Sequence, residues 1–189
     1  ALTVWGDPDD SLWVGVLEGG GLVHLDMKRG VVARYTNDPA VPGSLSHDFV
    51  QFITRTRDGS LWVATMGGGI NILRPGKTEF EHIRHDPDDP SSLAEDSILY
   101  IYEDRVGTMW IGTPSKGLDE RCATCEGFVH HRHDPEKPSD PTKIGSDTVG
   151  TIIETPSAEL WVATRTGGLD RFNRETRRFE HFRFSREDS

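Results

Sequence analysis

Cys122-Ala123-Thr124-Cys125, with His130, His131 and His133 close behind, is the densest set of metal-type donors in this chain. Thiolates and imidazoles are what zinc binds, in tetrahedral sets of four. Spacing argues against such a site. His130 and His131 are adjacent, and alternation along a strand sends neighbours to opposite faces. The two cysteines bracket a short turn, whose ends can come within disulfide range. A turn-spanning disulfide between Cys122 and Cys125 is therefore favoured over a metal, with reduced thiols as the other state. No metal and no other cofactor is expected. Hydrolytic chemistry has no clear residue set either: the serines sit in turn-like stretches and the histidines are scattered. Glycine pairs occur, but no strand-to-helix transition follows them, so they do not form phosphate loops.

The elements that would position any site are written four times. Ser11-Leu12-Trp13-Val14-Gly15, Ser60-Leu61-Trp62-Val63-Ala64, Thr108-Met109-Trp110-Ile111-Gly112 and Glu159-Leu160-Trp161-Val162-Ala163 place Trp13, Trp62, Trp110 and Trp161 49, 48 and 51 residues apart. Gly-(Leu/Ile) follows each Trp by seven or eight residues, at Gly21, Gly69, Gly117 and Gly168. A period near fifty residues points to propellers, solenoids or arrays. In each unit an apolar strand precedes the Trp strand, as in Val50-Gln51-Phe52-Ile53-Thr54. A tight turn joins the two, with Asp58-Gly59 as its clearest copy. A third strand starts at the Gly-Leu pair. A fourth has its anchor 11 residues after the Gly, at Val32, Phe80, Phe128 and Phe179.

The first two strands are apolar on consecutive residues, which predicts burial on both faces. The third is mixed, and the fourth carries charges between its aromatics like a water-facing edge. This grading predicts an all-β fold of propeller blades, each of four antiparallel strands radiating from an axis. Blades are expected over 1–36, 48–84, 96–132 and 147–184, joined by Pro-rich loops. Four blades close on themselves only at steep angles, so an arc of a larger propeller is expected, and its bare faces predict self-association or contact with further blades.

With the repeat as a frame, polar positions can be graded. Asp48, Asp96 and Asp147 recur before each following strand and are assigned to loop capping. Residues that vary within the frame are the informative ones. Between the Trp strand and the Gly-Leu strand lie Glu18, Met66, Lys116 and Arg165. In a propeller this connection and the inter-blade loop share one face around the axis, so these four are the candidate ligand-binding residues, suited to a small polar ligand such as an oligosaccharide or carboxylate. The formal charge of −10 argues against nucleic acid. No apolar run approaches the ~18 residues of a membrane span, so no membrane contact is expected within the segment.

Asp58-Gly59-Ser60-Leu61-Trp62-Val63-Ala64-Thr65-Met66-Gly67-Gly68-Gly69, with Asp-Pro-x-x-Pro-x-Ser-Leu in the loops, resembles the two-component regulator propeller repeat. The resemblance runs through all four units, and Val16 departs from it where Thr65, Thr113 and Thr164 recur. It implies propellers of about seven blades in the periplasmic, sensory part of membrane-anchored bacterial hybrid histidine kinases and related signalling proteins. It brings no catalytic residues. The reading is a non-catalytic ligand-sensing segment. One alternative is a propeller lyase or glycan hydrolase with His24, His47 or Glu18 as base. The other is a structural, dimerising wall with no ligand of its own.

Overall fold

The computed structural model describes residues 3–16, 19–122, 124 and 126–183. Four antiparallel sheets of four strands make up the described chain. Blade one holds β1 (Thr3–Gly6), β2 (Ser11–Gly15), β3 (Leu22–Asp26) and β4 (Gly30–Tyr35); blade two holds β5 (Val50–Arg55), β6 (Leu61–Thr65), β7 (Ile70–Leu73) and β8 (Phe80–Ile83). Blade three holds β9 (Tyr100–Glu103), β10 (Met109–Gly112), β11 (Leu118–Arg121) and β12 (Val129–His131); blade four holds β13 (Val149–Glu154), β14 (Leu160–Thr164), β15 (Gly168–Asn173) and β16 (Arg178–Phe182). The strands of each sheet are hydrogen-bonded in chain order. First strands of consecutive blades pack together, β1 on β5, β5 on β9 and β9 on β13, so they border the axis. This is the all-β, four-stranded blade architecture read from the repeat.

The glycine that opens each third strand has a steric reason. Gly69 and Gly117 have φ of 73° and 79°, and a Cβ there would lie 2.3 and 2.2 Å from the carbonyl oxygens of Ile83 and His131. Only glycine tolerates both constraints. Thr65, Thr113 and Thr164 close the same turn, each hydroxyl donating to the carbonyl of the glycine four residues on, at 2.9, 3.0 and 3.1 Å.

Three apolar clusters fill the three wedges between blades. Trp13, Leu22 and Tyr35 meet Val50, Ile53, Leu61, Val63 and Phe80 of blade two. Trp62, Ile70 and Ile72 meet Ile98, Ile101, Met109, Ile111 and Phe128 of blade three. Trp110 and Leu118 meet Val149, Ile152, Leu160, Val162, Phe172 and Phe179 of blade four. Each tryptophan thus faces the blade that follows it.

Burial on both faces holds only where a blade has neighbours on both sides. β6 and β10 are buried at every residue, whereas β2 and β14 alternate. The first strands are only partly buried, contrary to the expectation from their apolar runs. They border the axis, where their outer edges meet the first strands of neighbouring blades. Val32 likewise differs from its counterparts: it is exposed, while Phe80, Phe128 and Phe179 are buried. Those three N–H groups donate to carbonyls of the preceding inter-blade loop (Gly43, Ser91 and Pro141, at 2.8, 2.7 and 2.6 Å), a cover that β4 does not have among the described residues.

Charged pairs lock the wedges. Asp7 accepts from Trp5 Nε1 (3.1 Å), from Trp13 Nε1 (3.0 Å) and from Arg55 of blade two. Asp104, fully buried, accepts from Trp110 Nε1 (3.0 Å) and from Arg174 of blade four (2.9 Å). Glu120 accepts from His131 Nε2 at 2.8 Å, and both its oxygens take Arg177 of blade four at 2.6 Å. Burial alone would push the Glu120 carboxyl up. The His131 and Arg177 hydrogen bonds, with the guanidinium charge, outweigh it and hold the group at about 2 against an ordinary 4.5. A depressed carboxyl stabilises the fold fully above its unfolded value and loses that effect as pH falls toward its folded value. Glu120→Gln should therefore cost roughly 2–3 kcal/mol at pH 7, and the difference from the parent chain should vanish as pH falls from about 4.5 to about 2. Urea midpoints of both proteins across that range measure it.

Candidate functional site

The connections between second and third strands run against the residues that lead into each first strand. Met66 N–H donates to Phe49 O at 3.0 Å, and Met66 forms an isolated bridge with Ser97 of the next blade. Ser115 donates from its N–H (2.9 Å) and its hydroxyl (3.1 Å) to Glu95. Thr148 joins blades three and four: its hydroxyl donates to Pro114 O at 2.8 Å, and its carbonyl accepts Arg165 N–H at 3.0 Å. Thr166 and Ser146 bond hydroxyl to hydroxyl at 2.9 Å. The result is a polar rim along blades two, three and four at the end where these turns lie.

Of the four candidate ligand residues, three lie on this rim. Met66 is half-buried; Lys116 and Arg165 are exposed. The side chains of Lys116 and Arg165 make no hydrogen bond or ion pair among the described residues. Their connections meet at Thr148, so two uncommitted cations stand on adjoining turns. Glu18 lies outside the described residues. The rim also carries Ser115 and Thr166, which neighbour Lys116 and Arg165 in the varying connection, and two groups outside it that the search for varying residues missed, Glu95 and Thr148. Thr148 and Ser97 occupy one register position, just before the first strand. Comparing that position across units would have found Thr148.

Asp48, Asp96 and Asp147 clasp the bases of the inter-blade loops. Their Oδ1 atoms accept from the N–H groups of Asn37, His85 and His133 at 2.6, 2.7 and 2.7 Å. These bonds span 11 to 14 residues, in place of the local Asx turn that a capping aspartate suggests. Their carbonyls accept Gly21, Gly69 and Gly117 N–H at 3.1, 2.8 and 2.9 Å, which ties each loop to the third strand.

The histidines are spent on structure. His130 Nδ1 lies 2.6 Å from Asp119 Oδ1 and its Nε2 2.9 Å from Pro90 O; His181 repeats this with Asp170 (2.7 Å) and Asp140 O (3.3 Å). A buried aspartate beside an imidazole is the geometry of a general base and its orienting group. Here the distal nitrogen faces a loop carbonyl, and the same aspartates accept Ala94 and Gly145 N–H at 2.8 and 2.7 Å. Each pair clamps a loop onto the outer strand. Among the alternative bases, His24 stacks flat on Trp13 (ring centroids 4.1 Å apart, 4° between planes) and His47 Nδ1 accepts Phe49 N–H at 3.1 Å. Cys122 is disulfide-bonded. Cys125 lies outside the described residues.

The sequence pattern of the two component regulator propeller family matches residues 44–67 and 92–115, the same stretch of blades two and three. Two of the four units thus match that family's repeat. Among solved structures, this chain is similar to the extracellular domain of one putative hybrid two-component system from B. thetaiotaomicron, at 19% identity and a TM-score of 0.79 over 96% of its length. It is similar also to that of a second such system from the same organism, at 21% identity and a TM-score of 0.74 over 95% of this chain. In both cases it spans 24% of the other chain, about a quarter of its length. A virginiamycin B lyase from Staphylococcus aureus shares the fold at 13% identity and a TM-score of 0.68, over 98% of this chain and 56% of the lyase. No curated protein matches the chain.

Proposed function

We propose that this chain is a ligand-sensing, non-catalytic segment of the extracellular region of a two-component-type receptor, periplasmic in its parent. The family pattern in blades two and three carries the reading, and the likeness to extracellular domains of putative hybrid two-component systems supports it. The ligand is small and polar, such as an oligosaccharide, and it binds the rim of Met66, Lys116 and Arg165. Lys116 and Arg165 supply donors not already engaged, and Met66 supplies apolar contact. A few placed polar groups beside an apolar side chain are what small-molecule sites use.

No step of catalysis is assigned. The Asp–His pairs have their distal nitrogens against loop carbonyls, and the lyase likeness extends to fold alone. In the parent receptor, Met66→Ala, Lys116→Ala and Arg165→Ala together should reduce the response to the inducing oligosaccharide at least tenfold, with the melting temperature of the segment unchanged. An unaltered dose–response would remove the rim as the site and leave a structural wall as the reading. Turnover of an oligosaccharide or cyclic ester by the purified chain would overturn the non-catalytic assignment.

A further inference from the structure

The wedge between blades one and two and that between blades three and four share a three-part lock. A tryptophan indole donates to an aspartate six residues before it, and an arginine from the following blade takes the same carboxylate: Trp13–Asp7–Arg55 and Trp110–Asp104–Arg174. Between blades two and three the carboxylate is missing. Thr56 stands in its register position, its hydroxyl 2.6 Å from Asp58 Oδ1 and 3.1 Å from Ser60 O. Trp62 Nε1 has no acceptor among the described residues.

The cation, however, is present. Arg121 pairs across β10–β11 with Met109, in the position that Leu25, Leu73 and Phe172 hold in the other blades. It therefore stands on the sheet face that packs against blade two, where the repeat otherwise puts an apolar side chain. Its guanidinium lies over the Phe128 ring, 5.7 Å from the centroid, and has no carboxylate partner among the described residues. A half-buried arginine without a counter-ion is costly unless something supplies one.

Trp62, Thr56 and Arg121 line one cavity of about 270 Å³, which also touches Asp58, Arg74 and Glu103. Those three charges are already committed: Arg74 to Asp58 and Glu81, and Glu103 to Arg57. The open functions are an indole N–H and a guanidinium, the same two donors that hold a carboxylate in the neighbouring wedges.

We infer that the wedge between blades two and three is a binding site for a small carboxylate, whose oxygens take Trp62 Nε1–H and Arg121 and complete the lock that Asp7 and Asp104 complete elsewhere. This site is separate from the rim and does not depend on it. The ligand bridges two blades, so its binding stiffens the wedge.

The test titrates the 189-residue chain with acetate and, as an uncharged control, acetamide, at matched ionic strength. The readout is the indole ¹H–¹⁵N resonances, with Trp62 assigned through Trp62→Phe. Acetate should shift the Trp62 signal saturably and acetamide should not. Arg121→Leu, the residue found in blades one and two, should weaken acetate at least tenfold. Thr56→Asp should abolish the response and raise the melting temperature, because the built-in carboxylate fills the site. A Trp62 signal unmoved by acetate, moved equally by acetamide, or moved undiminished in both variants overturns the inference.

Discussion

Replacing Asp104 by alanine is expected to destabilise the chain by about 3–5 kcal/mol, the range for breaking a buried charge pair. The side chain is fully buried and accepts Val106 N–H (3.0 Å), Thr108 N–H (2.9 Å), Trp110 Nε1 and Arg174 Nη2. Alanine leaves the Val106, Thr108 and Trp110 donors without this partner and Arg174 with Glu154 alone (2.9 Å), and each unsatisfied buried donor costs about 1–3 kcal/mol. Arg174 is the most exposed to the loss, since its Nε is already buried without an acceptor. Asp104→Asn keeps one carbonyl oxygen and should cost less than half as much. Urea unfolding at neutral pH gives both values. Equal stability of parent and Asp104→Ala would mean the lock carries no energy.

The second large effect is a contrast. Leu-Trp-Val-Ala-Thr occurs twice, at 61–65 and 160–164, in the same register. The first copy is buried at all five residues; the second is half-exposed at Trp161 and Ala163. Trp62→Ala should cost about 3–5 kcal/mol, the usual range for emptying a tryptophan's place in a core. Trp161→Ala should cost roughly 1 kcal/mol or less in this chain, since surface changes are small. Trp161 does keep partial cover, from Phe182 at 5.1 Å and from Arg171 over its ring at 5.7 Å. Whatever comes to cover that sheet face, a further blade or a second copy, should bring the two costs together. Measuring both variants with and without such a partner turns one repeated pentapeptide into a gauge of the interface.

Much of the fold was legible because the tryptophan register carries it. Once Trp13, Trp62, Trp110 and Trp161 are aligned, strand order, turn positions and the glycine before each third strand follow from local chemistry. Burial was less legible, since it depends on neighbours that identical residues do or do not have, as the two Leu-Trp-Val-Ala-Thr copies demonstrate. The inter-blade locks were harder still. Asp7–Arg55, Glu120–Arg177 and Asp104–Arg174 join residues 48, 57 and 70 apart, and nothing local marks one arginine as the partner. The register did contain a usable signal. Thr56 breaks the position that Asp7 and Asp104 hold, and Arg121 breaks a column of Leu and Phe. Searching the Trp-to-Gly connection for varying polar residues drew attention to the rim and away from the opposite ends of the same sheets.

The loop carbonyls that reach Phe80, Phe128 and Phe179 have a consequence for behaviour in concentrated solution. They cap an otherwise unpaired strand edge in blades two, three and four. β4 has no such cap among the described residues, and its six residues Gly-Val-Val-Ala-Arg-Tyr present Val31 and Val32 to solvent. A bulge at Val32 kinks this edge, yet its uncapped backbone and exposed valines still offer a template onto which another molecule can add a strand. Amyloid-like growth of this chain is therefore expected to seed at β4, and one lysine at Val32 should suppress it while leaving the wedges untouched.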